Sequence, residues 1–145
     1  MASMAIRAPI FSFLLAFLWA STSSAADLSV IITGLRSEQG TVHVALYDRA
    51  EKFPEHEGIF QEAIIPIANG RANALFRDLK PGTYAIATYH DENNNDEFDQ
   101  GILGIPLEDY GFSNGATAFL GPPAFSEAMI EIPERGLETV IDLGN

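Results

Sequence analysis

Apolar residues recur at every second position along most of the chain beyond residue 27, the period of a half-buried β-strand. Leu28, Val30 and Ile32 alternate with Ser29 and Thr33, and Val42, Val44 and Leu46 share one face of the stretch 41–48. In 59–68 the residues Ile59, Ala63, Ile65 and Ile67 keep one register. Asn69-Gly70 then supplies a strong hairpin signal, and Ala72, Ala74 and Phe76 form the return strand. A Pro81-Gly82 pair marks another tight turn. Residues 83–90 are apolar on both faces, with Tyr84 and Ile86 on one and Ala85, Ala87 and Tyr89 on the other, which predicts a central strand. Ala128, Ile130 and Ile132 alternate next, and after a turn at 134–136 so do Leu137, Thr139, Ile141 and Leu143. The pattern predicts an all-β fold of seven strands in a two-sheet antiparallel sandwich, with no helical stripe past the N-terminus.

The N-terminus reads differently. Arg7 precedes an apolar run of 11 residues, Ile10 to Ala20, and Ser24 and Ala26 occupy the −3 and −1 positions of a small-x-small cleavage site. This is the pattern of a signal peptide over 1–26, with the mature chain starting at Asp27, or at Ala26 as the second possibility. A membrane-spanning helix needs roughly 20 apolar residues, and no segment of 27–145 has them. The expected destination is therefore the periplasm or the medium, with one domain over 27–145.

Composition narrows the chemistry. The chain has no cysteine, which excludes disulfides, cysteine-ligated zinc, thiol catalysis and a lipid-modified cysteine anchor. Removing Arg7 with the leader leaves 7 Lys+Arg against 20 Asp+Glu, a net charge of −13. Such a surface repels phosphate backbones and anionic lipid, so nucleic acid is not an expected partner.

One stretch is not explained by building a sandwich. The connection over 90–125 is about 35 residues long, far beyond the usual loop of about 4–6. Its Ile, Leu, Phe and Tyr content predicts an ordered cap on one end of the sandwich rather than disorder. It opens with Asp91, Asn93, Asn95 and Asp99 at positions 1, 3, 5 and 9, the spacing with which a loop wraps calcium, and Glu97 would offer its backbone carbonyl at position 7. Position 6 is Asp96 where an EF-hand loop has glycine, and position 12 is Ile102, so a bidentate carboxylate must come from Glu108 or Asp109 folding back. The alternative is a run of Asx-turns, the side chains bonding neighbouring N–H groups. Crowding of five carboxylates into 91–99 favours a counter-ion, with weak, millimolar-range affinity expected of an extracellular module.

Other candidates in the same stretch are weaker. Gly111-Phe112-Ser113-Asn114-Gly115 fits G-x-S-x-G, but a serine hydrolase needs that serine on a strand-to-helix turn with histidine later in the chain. The three histidines are His43, His56 and His90, so a small hydrolase would need Ser113 with His90 in another order. Tyr110, Phe112, Phe119 and Phe125 could line a ligand pocket or plug the sandwich end.

His90-Asp91-Glu92-Asn93 through Asp99, then Gly104-Ile105-Pro106, Glu108 and Tyr110-Gly111-Phe112-Ser113-Asn114, resemble the signature of a bacterial secreted family catalogued as domain of unknown function 2141. The element from Phe76 to Tyr84 is similar to a turn-then-strand unit also seen in transthyretin-like sandwiches. The family pattern commonly has glycines where this chain has Asn94 and Asp96. The resemblance implies a secreted Ig-like or prealbumin-like β-sandwich and brings no established activity and no catalytic residue. The function expected from the sequence is a non-enzymatic binding or accessory module for an unidentified protein or small ligand, with calcium at Asp91, Asn93, Asn95, Glu97 and Asp99. A serine hydrolase and a purely structural envelope interaction module stand as alternatives.

Overall fold

The computed structural model describes residues 25–144; of the leader expected over 1–26, residues 1–24 lie outside the described residues. Eight strands follow in order: β1 (Ala26–Thr33), β2 (Thr41–Tyr47), β3 (Gln61–Pro66), β4 (Ala72–Leu79), β5 (Gly82–Asp91), β6 (Tyr110–Phe112), β7 (Ile130–Ile132) and β8 (Leu137–Asp142), with one short helix, α1 (Phe125–Ala128), before β7. They form two sheets, a three-stranded one in the order β4-β1-β8 and a five-stranded one in the order β3-β2-β5-β6, with β7 also paired to β5.

The alternating residues account for the packing between the sheets. Leu28, Val30 and Ile32 of β1 meet Val42, Val44 and Leu46 of β2 and Tyr84 and Ile86 of β5 in one buried cluster, joined by Phe76, Ile132 and Ile141. Each such side chain contributes roughly 1.5–3 kcal/mol by leaving water. β2 is also buried on its other face, where His43, Ala45 and Tyr47 point away from this core.

The structure corrects the expected sandwich in three respects. β1 and β8 pair in parallel, Leu28 opposite Leu137 through Thr33 opposite Asp142, because period-two alternation carries no strand direction. An eighth strand, β6, lies inside the stretch read as one connection and pairs with Ala87 to Tyr89. Finally, the 90–125 segment does not plug an end of the sandwich. Tyr110, Phe112, Phe125 and Ala128 pack with Ala85 and Ala87 on the outer face of β5, so the segment roofs the five-stranded sheet. Phe119, one of the proposed plugs, is 86% exposed.

Ser113 has a place in this roof. β6 and β7 pair with successive parts of β5, and Ser113 bridges the gap between them. Its Oγ accepts the Ile86 N–H at 2.8 Å and donates to the Ala128 carbonyl, with the residue fully buried. Ser113→Ala is therefore expected to lower stability by about 2 kcal/mol by orphaning two buried backbone groups, read as a shift of the urea midpoint without a change in slope. An unchanged midpoint would mean that water reaches Ile86 and Ala128.

Candidate functional site

The turn between β1 and β2 braces the start of the acidic loop. Gln39 offers its carbonyl to His90 Nε2 at 2.7 Å, the Ser37 hydroxyl donates to Glu92, and Thr41 Oγ1 donates to Asn94 at 3.4 Å. Arg36 forks onto Asp109, with Nε 2.7 Å from Oδ2. Both backbone contacts of His90, the second being its N–H to the Asp109 carbonyl at 2.8 Å, are structural. His90 Nε2 and Ser113 Oγ are thus bonded to separate backbone partners, and the hydrolase arrangement finds no support.

Beyond this brace the alternate-position side chains form one network. Asp91 is fully buried. Its Oδ1 accepts the Asn95 N–H at 3.1 Å and its Oδ2 the Asp96 N–H at 2.9 Å. Asn93 Oδ1 accepts the Asn95 N–H at 3.1 Å and Asn95 Oδ1 the Glu97 N–H at 3.0 Å, two successive Asx-turns. The two amide nitrogens donate to the two oxygens of Asp99 at 2.7 and 3.0 Å. Asp91, Asn93, Asn95 and Asp99 are thus brought together, while Glu97 lines a neighbouring cleft. Asn94 and Asp96 have φ of +56° and +59°, the left-handed region that Asn and Asp tolerate best after glycine.

A short reversal returns Glu108 to the loop. Gln100 and Pro106 form an isolated bridge, Gly101 N–H bonds the Ile105 carbonyl at 2.7 Å, and Leu107 N–H bonds the Asp99 carbonyl at 3.0 Å. Of the two acids that could fold back, Asp109 is taken by Arg36 and Glu108 arrives. Its Oε2 accepts the Asp99 N–H at 3.0 Å, while its Oε1 is buried with no partner. Burial pushes the Glu108 carboxyl above its ordinary range and the charges of Asp99 and Asp91 add to this; the Asp99 N–H opposes it, as does, least of all, the Glu92 N–H, which is near the carboxyl but does not reach Oε1 with hydrogen-bond geometry.

The loop adjoins a cleft of about 690 Å³ on the outer face of the five-stranded sheet, walled by Ala45, Ala87, Phe98, Tyr110 and Phe112 among others. His43 sits at its acidic end, stacked on Tyr89 with ring centroids 4.6 Å apart. Its Nδ1 is 3.3 Å from Glu62 Oε1, and its Nε2 is 3.6 Å from both Asp91 Oδ2 and Asp96 Oδ1. Burial first, then Asp91, Glu62, Glu108 and Asp96, hold the Tyr89 hydroxyl above its usual pKa, a sign of the negative potential gathered there.

Sequence reasoning missed His43, Glu62 and the side chain of Asp96. The outer face of β5 was read as apolar, which signals a cover. What places His43 beside the loop is the pairing of Thr41 with Asp91, a register without a local signal. Among the described residues, His43, Asp91 and Asp96 are also the one imidazole-and-carboxylate group whose ligand atoms lie within 4.8 Å of one another. Asp91, Asp99 and Glu108 do not close that far.

Comparison with known proteins adds little about chemistry. No curated protein matches the chain. Among solved structures, a leucine-rich repeat protein from Bacteroides thetaiotaomicron VPI-5482 is similar at 15% identity with a TM-score of 0.38, over 83% of this chain. The chain spans 12% of that protein's length, and a likeness so slight bears on neither fold nor function. A family model matches residues 30–140, and the chain belongs to that family, described as an uncharacterized protein conserved in bacteria, DUF2141.

Proposed function

We propose that the protein is a non-enzymatic accessory module of the periplasm or medium, released from its leader, whose acidic loop binds calcium weakly. The observation that carries this reading is Glu108, whose Oε1 is buried without a partner beside the charges of Asp99 and Asp91. The ligands would be side-chain oxygens of Asp91, Asn93, Asn95, Asp99 and Glu108 with the Glu97 carbonyl. Each amide or carboxylate oxygen has two lone pairs, so an oxygen that accepts an N–H keeps one for the ion. One oxygen from each residue makes about six, the lower end of calcium's usual range. Asp99 and Glu108 would have to draw inward to complete the shell, and that closure fits millimolar rather than tight affinity. The two-sheet arrangement is in keeping with an Ig-like or prealbumin-like sandwich. A mature start at Ala26 would keep that residue opposite Leu79 in β1.

Thermal melts test the ion. At ten times a millimolar dissociation constant, calcium is expected to stabilise by about 1.4 kcal/mol, roughly 5 °C for a domain of this size. Glu108→Gln should abolish that rise while leaving the fold intact. No shift in the unmutated protein at 10-fold-varied millimolar calcium would remove calcium from the reading.

The same variant gives a pH test. With Glu108 raised in the folded state, the fold holds a proton there more tightly than the unfolded chain does. The stability due to that proton is fully present below the unfolded value of 4.5 and is lost as pH rises through the folded one. In chelator at neutral pH, Glu108→Gln should therefore melt above the unmutated protein, and the gap should close as pH falls towards 4.5. A gap that does not change with pH would show that Glu108 is not the group responsible.

A second reading, an interface with another envelope protein, is favoured by one observation. The reversal that returns Glu108 exposes Ile102, Leu103, Ile105 and Leu107 at its tip, with Leu103 94% exposed. Loss of a co-purifying partner in Leu103→Ser, with calcium binding retained, would favour it.

A further inference from the structure

The cleft end holds a second set of ligands that shares only Asp91 with the acidic-loop reading. We propose that His43, Asp91 and Asp96 form a site for a divalent first-row transition metal, best fitted by zinc, with Glu62 orienting the imidazole and the fourth position open to the cleft.

His43 carries an orphaned atom. His43 is 4% exposed, and its Nε2 is buried without a hydrogen-bond partner. Its Nδ1 faces the Glu62 carboxylate at 3.3 Å, which makes Nδ1 the protonated nitrogen and leaves the Nε2 lone pair facing inward. Two carboxylate oxygens, Asp91 Oδ2 and Asp96 Oδ1, each lie 3.6 Å from Nε2. Three acceptors facing one another repel. At 3.6 Å Nε2 is beyond hydrogen-bonding range of either oxygen, so no hydrogen bond relieves this.

A metal ion between them does cure it. Ligands about 2.1 Å from a tetrahedral zinc stand about 3.4 Å apart, close to the two 3.6 Å separations observed. Octahedral edges at the same bond length would be about 3.0 Å. An imidazole with two carboxylates suits zinc and its neighbours in the series, and the carboxylate behind the far ring nitrogen is the usual way such a histidine is fixed. Asp96 has its side chain 76% exposed and lines the cleft, so an ion and a fourth ligand can enter without unfolding anything. Three protein ligands with a fourth position facing a cavity is the open form of a zinc site. The occupant of that position would be water or a small anionic or imidazole-like donor whose apolar body rests on Tyr110 and Phe112.

This site goes beyond the calcium reading and meets it only at Asp91, so the two fail separately. Tag-free protein should be titrated with zinc by calorimetry and with cobalt(II) by absorption, cobalt reporting tetrahedral geometry by its strong visible bands. One equivalent should bind with those bands. Asp96→Asn, a change at an exposed side chain, should weaken zinc at least tenfold without lowering the metal-free melting temperature. Glu62→Gln should weaken it about tenfold, and Glu108→Gln should leave it unaltered while removing the calcium response. His43→Gln should lose the cobalt bands. Three results would overturn the site: no binding by the unmutated protein, pale octahedral cobalt only, or binding lost in His56→Gln and kept in His43→Gln.

Discussion

Gly40→Ala is expected to cost about 3 kcal/mol of stability and to disturb the acidic loop with it. Gly40 has φ of +76°, and a Cβ built there would lie 1.9 Å from the Asp91 carbonyl oxygen and 2.7 Å from the Glu92 Cα. Both obstacles are backbone, so neither can rotate away. The left-handed conformation alone accounts for roughly 1–2 kcal/mol with an alanine. Gly70→Ala isolates that part, because Gly70 has φ of +70° and nothing within 4 Å of its would-be Cβ. The excess cost at Gly40 over Gly70, measured by urea denaturation, reports how firmly the β1–β2 turn presses on Asp91. If the two variants are equally stable within error, the turn does not brace the loop.

That brace also shows why the loop was only half legible. The alternate acids and amides of 91–99 stand in the sequence, and so did the need for a carboxylate to replace position 12. The choice between Glu108 and Asp109 is made by Arg36, 73 residues away from Asp109, and nothing local announces it. The strands followed from alternation because burial on one face imposes a period of two. β6 did not, since Tyr110-Gly111-Phe112 is three residues long and carries a glycine. The structure gives the glycine a packing reason: a Cβ at Gly111 would come within 2.8 Å of Leu143 and 2.9 Å of Ile141. Read along the sequence, the same glycine looks like a turn, and with Ser113 and Gly115 it imitates a hydrolase motif. Strand direction and cross-strand register were out of reach for the same reason. Alternation says which face a residue takes, not which neighbour it meets, and His43 becomes interesting only through its neighbour.

Asp91→Ala should lower stability by about 3 kcal/mol and remove both the calcium and the zinc responses. Asp91 ends β5 fully buried and holds the next turn by two backbone N–H groups, those of Asn95 and Asp96. Losing it frees the loop that carries Asn93, Asn95, Asp96 and Asp99, so every proposed ligand except His43 and Glu108 is displaced at once. An opposing effect must be weighed. A buried carboxylate is costly when its partners are imperfect, and here Glu108 adds repulsion. The hydrogen bonds should win in calcium-free buffer, since two charge-assisted bonds outweigh repulsion shared with a partly hydrated loop. Asp91→Asn keeps the shape and one acceptor, so it should cost about half as much while still losing both ions. The decisive comparison is Asp91→Ala against the unmutated protein in chelator. A variant more stable than its parent would show that Asp91 is held in place by the rest of the fold against its own repulsion, the strain a bound cation would relieve.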